Sequence, residues 1–148
     1  MATLNQIHQD FEEYFNNTQN LELYMKVLSW AHLNFELQSC LHQGKTSMSN
    51  TISKQLNRLG YTGKNIQNLT KSEFKKLFEK ESFFSSSATG KRIAAFAIKE
   101  NGLDQNSFET IEEGIKNAYA DIKNHQKADP LLEQSYQHTM ETLSVFKH

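Results

Sequence analysis

The chain has 148 residues, 37% of them hydrophobic and 22% charged, with 17 acidic against 16 basic side chains and a formal net charge of −1. A chain of this length buries roughly two thirds of its unfolded surface, so a single helical domain over 1–148 can close a core without metal, and the lone Cys40 cannot make an internal bridge. A pI of about 6.6 lacks the cationic surplus of a general nucleic-acid binder, no apolar run is long enough to insert in a membrane, and Met1 to Asp10 has no basic segment leading into an apolar one, which makes a cytoplasmic protein the expectation.

One Pro and six Gly are too few for an all-β fold built on tight turns, so helix is the default. Leu4, Ile7, Phe11, Tyr14 and Phe15 share one helical stripe behind the capping-box spacing of Thr3 and Gln6, which predicts a first helix over about 4–16. From 21 to 39 the pattern changes. Leu21, Leu23, Met25 and Val27, then Ala31, Leu33, Phe35 and Leu37, alternate with mostly polar residues, which predicts a small β element there; Leu21, Tyr24, Met25, Leu28, Ala31 and Phe35 also fit a helical stripe. Beyond Gly44, Met48, Ile52, Leu56 and Leu59 return to helical spacing, with Gly60 as the stop. Thr70 and Glu73 form a capping box ahead of Phe74, Leu77 and Phe78. Ile93 to Ile98 is apolar on every side and predicts a central helix ending at Asn101 and Gly102. Asn106 with Glu109 opens a helix carrying Phe108, Ile111, Ile115, Ala118 and Ile122, and Asp129 and Pro130 supply an N-cap and first-turn proline for the last one. The expected fold class is mainly α, a bundle of five or six helices whose core lies in residues 88–146.

Charge alternates along the chain: 1–53 carries −3, 54–92 carries +6 and 93–148 carries −4. This describes a mixed surface and no tail. Gly63-Lys64 and Gly90-Lys91 echo a phosphate loop without its spacing, so they are read as turns or caps. No two of the six histidines have the four-residue spacing that puts two imidazoles on one helix face, and Cys40 with His42 stands alone as a metal pair, so no metal site is assigned. Glu12-Glu13 and Glu112-Glu113 are adjacent and diverge on a helix, Cys40 has no nucleophile signature, and Lys75-Lys76 and Lys91-Arg92 lack interleaved aromatics. No catalytic residue and no cofactor is assigned.

The second half carries a further pattern: Phe83-Phe84, then the run from Ala88 to Ala97, then Ile111, Gly114, Ile115, Ala118, Asp121 and Ile122, then Ser135, Tyr136, Thr139, Met140 and Leu143. In this order and spacing the segment from 83 to 146 resembles a flagella-associated bacterial family of small helical proteins, some members of which are labelled hydrogenase-4 component G. Its motifs are of a packing kind: the alanines permit close helix approach, and Gly114 removes a side chain where another element crosses. The resemblance implies a non-enzymatic co-chaperone that binds the flagellar export chaperone FliS, with flagellin as a further candidate partner. Two rivals are an accessory subunit of a membrane-bound hydrogenase or respiratory complex and an unrecognised small-molecule enzyme; a polar pocket lined by His or carboxylates with shifted pKa would favour the latter. Binding through helix faces needs a few apolar or aromatic anchors. The terminal helices offer Phe11, Phe15, Tyr136 and Met140, although such stripes are also what a core requires. Met140 at the edge of its stripe and Val145 on the far side of its helix are the candidates for exposure.

Overall fold

The computed structural model describes residue 9 and residues 22–45, 49–101, 107–125 and 129–145. Among these there are seven helices and no strand: α1 (Leu23–His42), α2 (Asn50–Arg58), α3 (Gly63–Asn68), α4 (Lys71–Lys76), α5 (Ser86–Asn101), α6 (Phe108–His125) and α7 (Pro130–Ser144). The mainly α expectation holds. The helix expected over 4–16 lies outside the described residues.

The β element expected near 21–39 is replaced by α1, a helix of 20 residues. The polar residues that suggested a period of two fall into two helical pairs four residues apart: Asn34 and Gln38 are buried, whereas His32 and Glu36 are half-exposed. Apolar side chains surround the rest of the helix because α1 is packed on several sides, against α6, α5, α7 and α2. It is the central element, a place the sequence reading gave to α5. On α5 the run from 93 to 98 is buried at Ile93, Ala94, Phe96 and Ala97 but open at Ala95.

Two apolar clusters meet along α1. Trp30, Leu33, Leu37 and Leu41 pack with Ile52 and Leu56 of α2 and with Phe84 and Phe96, the last stacked on Trp30 at 4.9 Å between ring centroids. Val27, Ala31 and Phe35 pack with Ile93 and Ala97 of α5, Ile111, Ile115 and Ala118 of α6, and Leu132 and Leu143 of α7. The core thus extends well beyond 88–146.

Local chemistry sets the ends of the shorter helices. Thr70 and Glu73 close the expected capping box, each side chain accepting from the other's backbone N–H at 3.0–3.1 Å. Gly60 ends α2 at φ +92, a backbone conformation that favours glycine, and Asp129 caps α7 by accepting from the Leu131 N–H at 2.9 Å ahead of Pro130. Gly63 opens α3 behind its cap Thr62. Gly90 is neither turn nor cap: it lies buried within α5, and a Cβ there would come within 2.7 Å of His138 Cβ and of the Thr139 backbone N on α7. That contact is why α5 and α7 pack so closely. Gly114 serves α1 in the expected way, a Cβ there lying 3.2–3.3 Å from Val27 Cγ1, Leu28 N and Tyr24 O.

Candidate functional site

A cleft of about 500 Å³ lies between α1, the start of α2 and α6. Leu28, Leu33 and Ile52 supply its apolar wall; Tyr24, Ser29, His32, Glu36, Asn117 and Asp121 supply polar groups. α1 presents Tyr24, Leu28, His32 and Glu36 along one line because they recur at about one helical turn.

His32 organises the polar end. Its Nε2 lies 2.7 Å from Asp121 Oδ2 on α6, and its Nδ1 lies 3.2 Å from Glu36 Oε2 on its own helix. An imidazolium donates from both nitrogens, so this arrangement matches the charged form. The His32 pKa is accordingly raised, first by the bond to Glu36; partial burial opposes the shift and Asp121 adds to it. Asp121 also draws in His125, whose Nδ1 lies 3.3 Å from Oδ1 and 2.8 Å from the Asp121 backbone carbonyl. At the other end Asn117 donates to the Tyr24 hydroxyl at 2.7 Å. Two carboxylates and one imidazolium leave the cleft with a negative surplus, and the His32 bridge ties α1 to α6. Among the described residues no group of three His, Cys, Asp or Glu side chains is arranged to hold a metal ion.

A second polar arrangement lies inside the protein. Arg92 of α5 is only 6% exposed; its Nε donates to Asn34 Oδ1 at 2.9 Å, one terminal nitrogen to the Phe83 carbonyl at 2.7 Å and the other to Thr89 Oγ1 at 3.3 Å. Its guanidinium carbon sits 3.8 Å from the centre of the Phe83 ring. Burial pulls its pKa down to about 9, still protonated at neutral pH. Gln38 extends the polar seam, donating to the Phe84 carbonyl at 2.7 Å while its Oε1 lies 2.7 Å from Ser135 Oγ on α7. These groups satisfy one another and fix the 83–85 turn against α1, α5 and α7.

No family model, no curated protein and no solved structure matches this chain. The residues must therefore speak through their own geometry.

Of the four expected partner-binding residues, Phe11 and Phe15 lie outside the described residues. Tyr136 is half-buried and stacks on Tyr119 of α6, ring centroids 4.2 Å apart and planes 7° from parallel. Burial raises the pKa of both phenols. Met140, one turn on, packs half-buried against the same core cluster and is less open than its place at the stripe edge suggested. Val145 is 71% exposed, in line with expectation. The structure stacks Tyr119 of α6 on Tyr136 of α7, sets Met140 one turn beyond Tyr136 on α7, and places His32 elsewhere, at the α1–α6 cleft.

The sequence reading missed the cleft because His32 and Asp121 are 89 residues apart and no motif links them. The usable signal was His32 and Glu36 at four-residue spacing, visible once 23–42 is read as helix. Cys40 and His42 do not share a face: Cys40 is buried in the core with its thiol pKa raised by burial, while His42 Nδ1 lies 2.9 Å from the capping Asp129.

Proposed function

We propose that this chain is a non-enzymatic, cytoplasmic protein-binding protein, a co-chaperone that binds the flagellar export chaperone FliS and supports flagellin export. The observation that carries a binding role is the α6–α7 seam, where two stacked tyrosines and Met140 remain half-buried. A rigid aromatic pair with polar tips and a neighbouring methionine is the composition of a binding anchor, since the stacked rings are already ordered and lose little entropy on docking while the methionine adapts to the partner surface. The choice of FliS comes from the resemblance over 83–146, whose glycines Gly90 and Gly114 sit at close helix contacts.

Titrating purified FliS, alone and loaded with flagellin, into the full chain by calorimetry tests the reading. The parent is expected to bind, and Tyr136→Ala and Met140→Ala, each verified as folded by circular dichroism, are expected to lose about tenfold in affinity, the effect of a modest hot spot. No binding by the parent removes the FliS reading, and parent-like binding by both variants removes the seam.

A second reading rests on the α1–α6 cleft, which has the shifted histidine and paired carboxylates that a small-molecule site would use. Its negative surplus suits an organic polyamine. Histidine resonances of His32 that move on addition of spermidine, and do not move in Asp121→Asn, would favour it.

A further inference from the structure

Lys91, Ala95, Ile98 and Lys99 of α5, together with Thr142 of α7, line a groove of about 420 Å³. Its floor is apolar. Ala95 is exposed, Ile98 is half-buried, and the Thr142 hydroxyl donates back to the His138 carbonyl at 2.8 Å, so that alcohol is already satisfied within its own helix. Val145 follows Thr142 by three residues and is its surface neighbour on the helical path; at 71% exposed it extends the apolar strip. Lys91 and Lys99 stand two helical turns apart, ~12 Å along α5. Lys91 is loosely engaged, its Nζ 3.9 Å from Glu81 with both side chains largely in solvent. Among the described residues no carboxylate lines the groove.

We propose that this groove is a docking site for an amphipathic helix of a partner protein, whose apolar side chains seat on Ala95, Ile98 and Val145 while acidic side chains flank them against Lys91 and Lys99. Charge complementarity selects the acidic partner. The form of the surface selects a helix: a concave strip between two helices receives anchors at i, i+3, i+4 and i+7, and two lysines two turns apart face carboxylates at matching spacing. An anionic membrane surface calls for a cluster of about four to eight cations, which this strip lacks. The groove is distinct from the α6–α7 seam, because Thr142 and Met140 are two residues apart and diverge by roughly 160° around α7. It therefore stands whether or not FliS is the partner of that seam.

Two fluorescein-labelled synthetic helices of one Leu/Ala pattern, one flanked by Glu and one by Lys, test the site when titrated with the full chain by fluorescence anisotropy. The Glu-flanked peptide is expected to bind at least tenfold tighter than the Lys-flanked one and to weaken as salt rises. Ala95→Arg is expected to lose at least tenfold, and Lys91→Glu with Lys99→Glu to reverse the preference between the peptides. Val145→Asp, at an exposed position, repeats the test of the strip should Ala95→Arg fail to fold. Equal affinity for the two peptides overturns the proposal, as does indifference of both apolar variants. Binding to phosphatidylglycerol vesicles in place of either peptide, or self-association abolished by Ala95→Arg, would assign the groove to a lipid surface or to a second copy and equally overturn it.

Discussion

Arg92 shows how little a dipeptide reveals about where its side chains go. Lys91-Arg92 reads as a basic doublet, yet consecutive helical residues diverge by about 100°, so Lys91 points to solvent and Arg92 enters the core. Its planar fork reaches Asn34, the Phe83 carbonyl and Thr89 at once, and a lysine ammonium cannot reproduce that geometry. Arg92→Lys is expected to destabilise by about 2–3 kcal/mol in urea unfolding, since hydrogen bonds to charged groups contribute about 1.5–3 kcal/mol and buried acceptors left unmet add to the loss. A change under about 0.5 kcal/mol would contradict this role. His32 makes a prediction in pH. Its pKa is raised in the folded state, so its contribution to stability is fully present below the ordinary histidine value near 6.5 and is lost as pH rises through the raised folded value. The unfolding midpoint of the parent should thus fall relative to His32→Gln on going from below pH 6 to pH 8, and parallel curves would rule out the bridge to Glu36 and Asp121.

At the scale of elements, packing decides what the sequence can show. Glycine within a helix costs about 1 kcal/mol relative to alanine, so Gly→Ala stabilises wherever space permits. At Gly90 it does not: a Cβ would meet α7 at 2.7 Å, partly against backbone, and Gly90→Ala is expected to destabilise by about 1–3 kcal/mol despite the propensity gain. At Gly114 the contacts are 3.2–3.3 Å, a few tenths of an ångström too close, so the gain and the strain nearly cancel. Thermal melts of the two variants should separate clearly, and equal melting points would contradict the close α5–α7 crossing. The helices legible in the sequence were those with chemical punctuation or a marked apolar pattern: α2 with Gly60, α4 with its capping box, α5 with its apolar run ending at Asn101, α6 with its single stripe, α7 behind Asp129-Pro130. α1 reads as strand before helix for two physical reasons. It is packed on several sides, which blurs the single stripe, and its N-cap residue Glu22 makes no side-chain cap. α3 is six residues long, too short for a period to register.

At the scale of the whole molecule, the described residues present three candidate surfaces: the α1–α6 cleft, the aromatic α6–α7 seam and the basic-rimmed α5–α7 groove. They sit on different helix pairs joined through one core, so each can be changed without touching the others. Protein binding is proposed for the seam and the groove, and His32 ties α1 to α6 through Asp121. Met140 stands out in the sequence by its edge position on an amphipathic stripe and Tyr136 as an aromatic within that stripe, whereas the cleft joins residues that only the fold brings together. Among the described residues no helix is long and apolar enough to cross a membrane. The most direct measurement is a two-dimensional amide NMR titration of the isotopically labelled chain with unlabelled FliS. Signal changes are expected to centre on Tyr119, Tyr136 and Met140, with little change at Ser29 and His32. Absence of any change, or changes confined to the α1–α6 cleft, would contradict this.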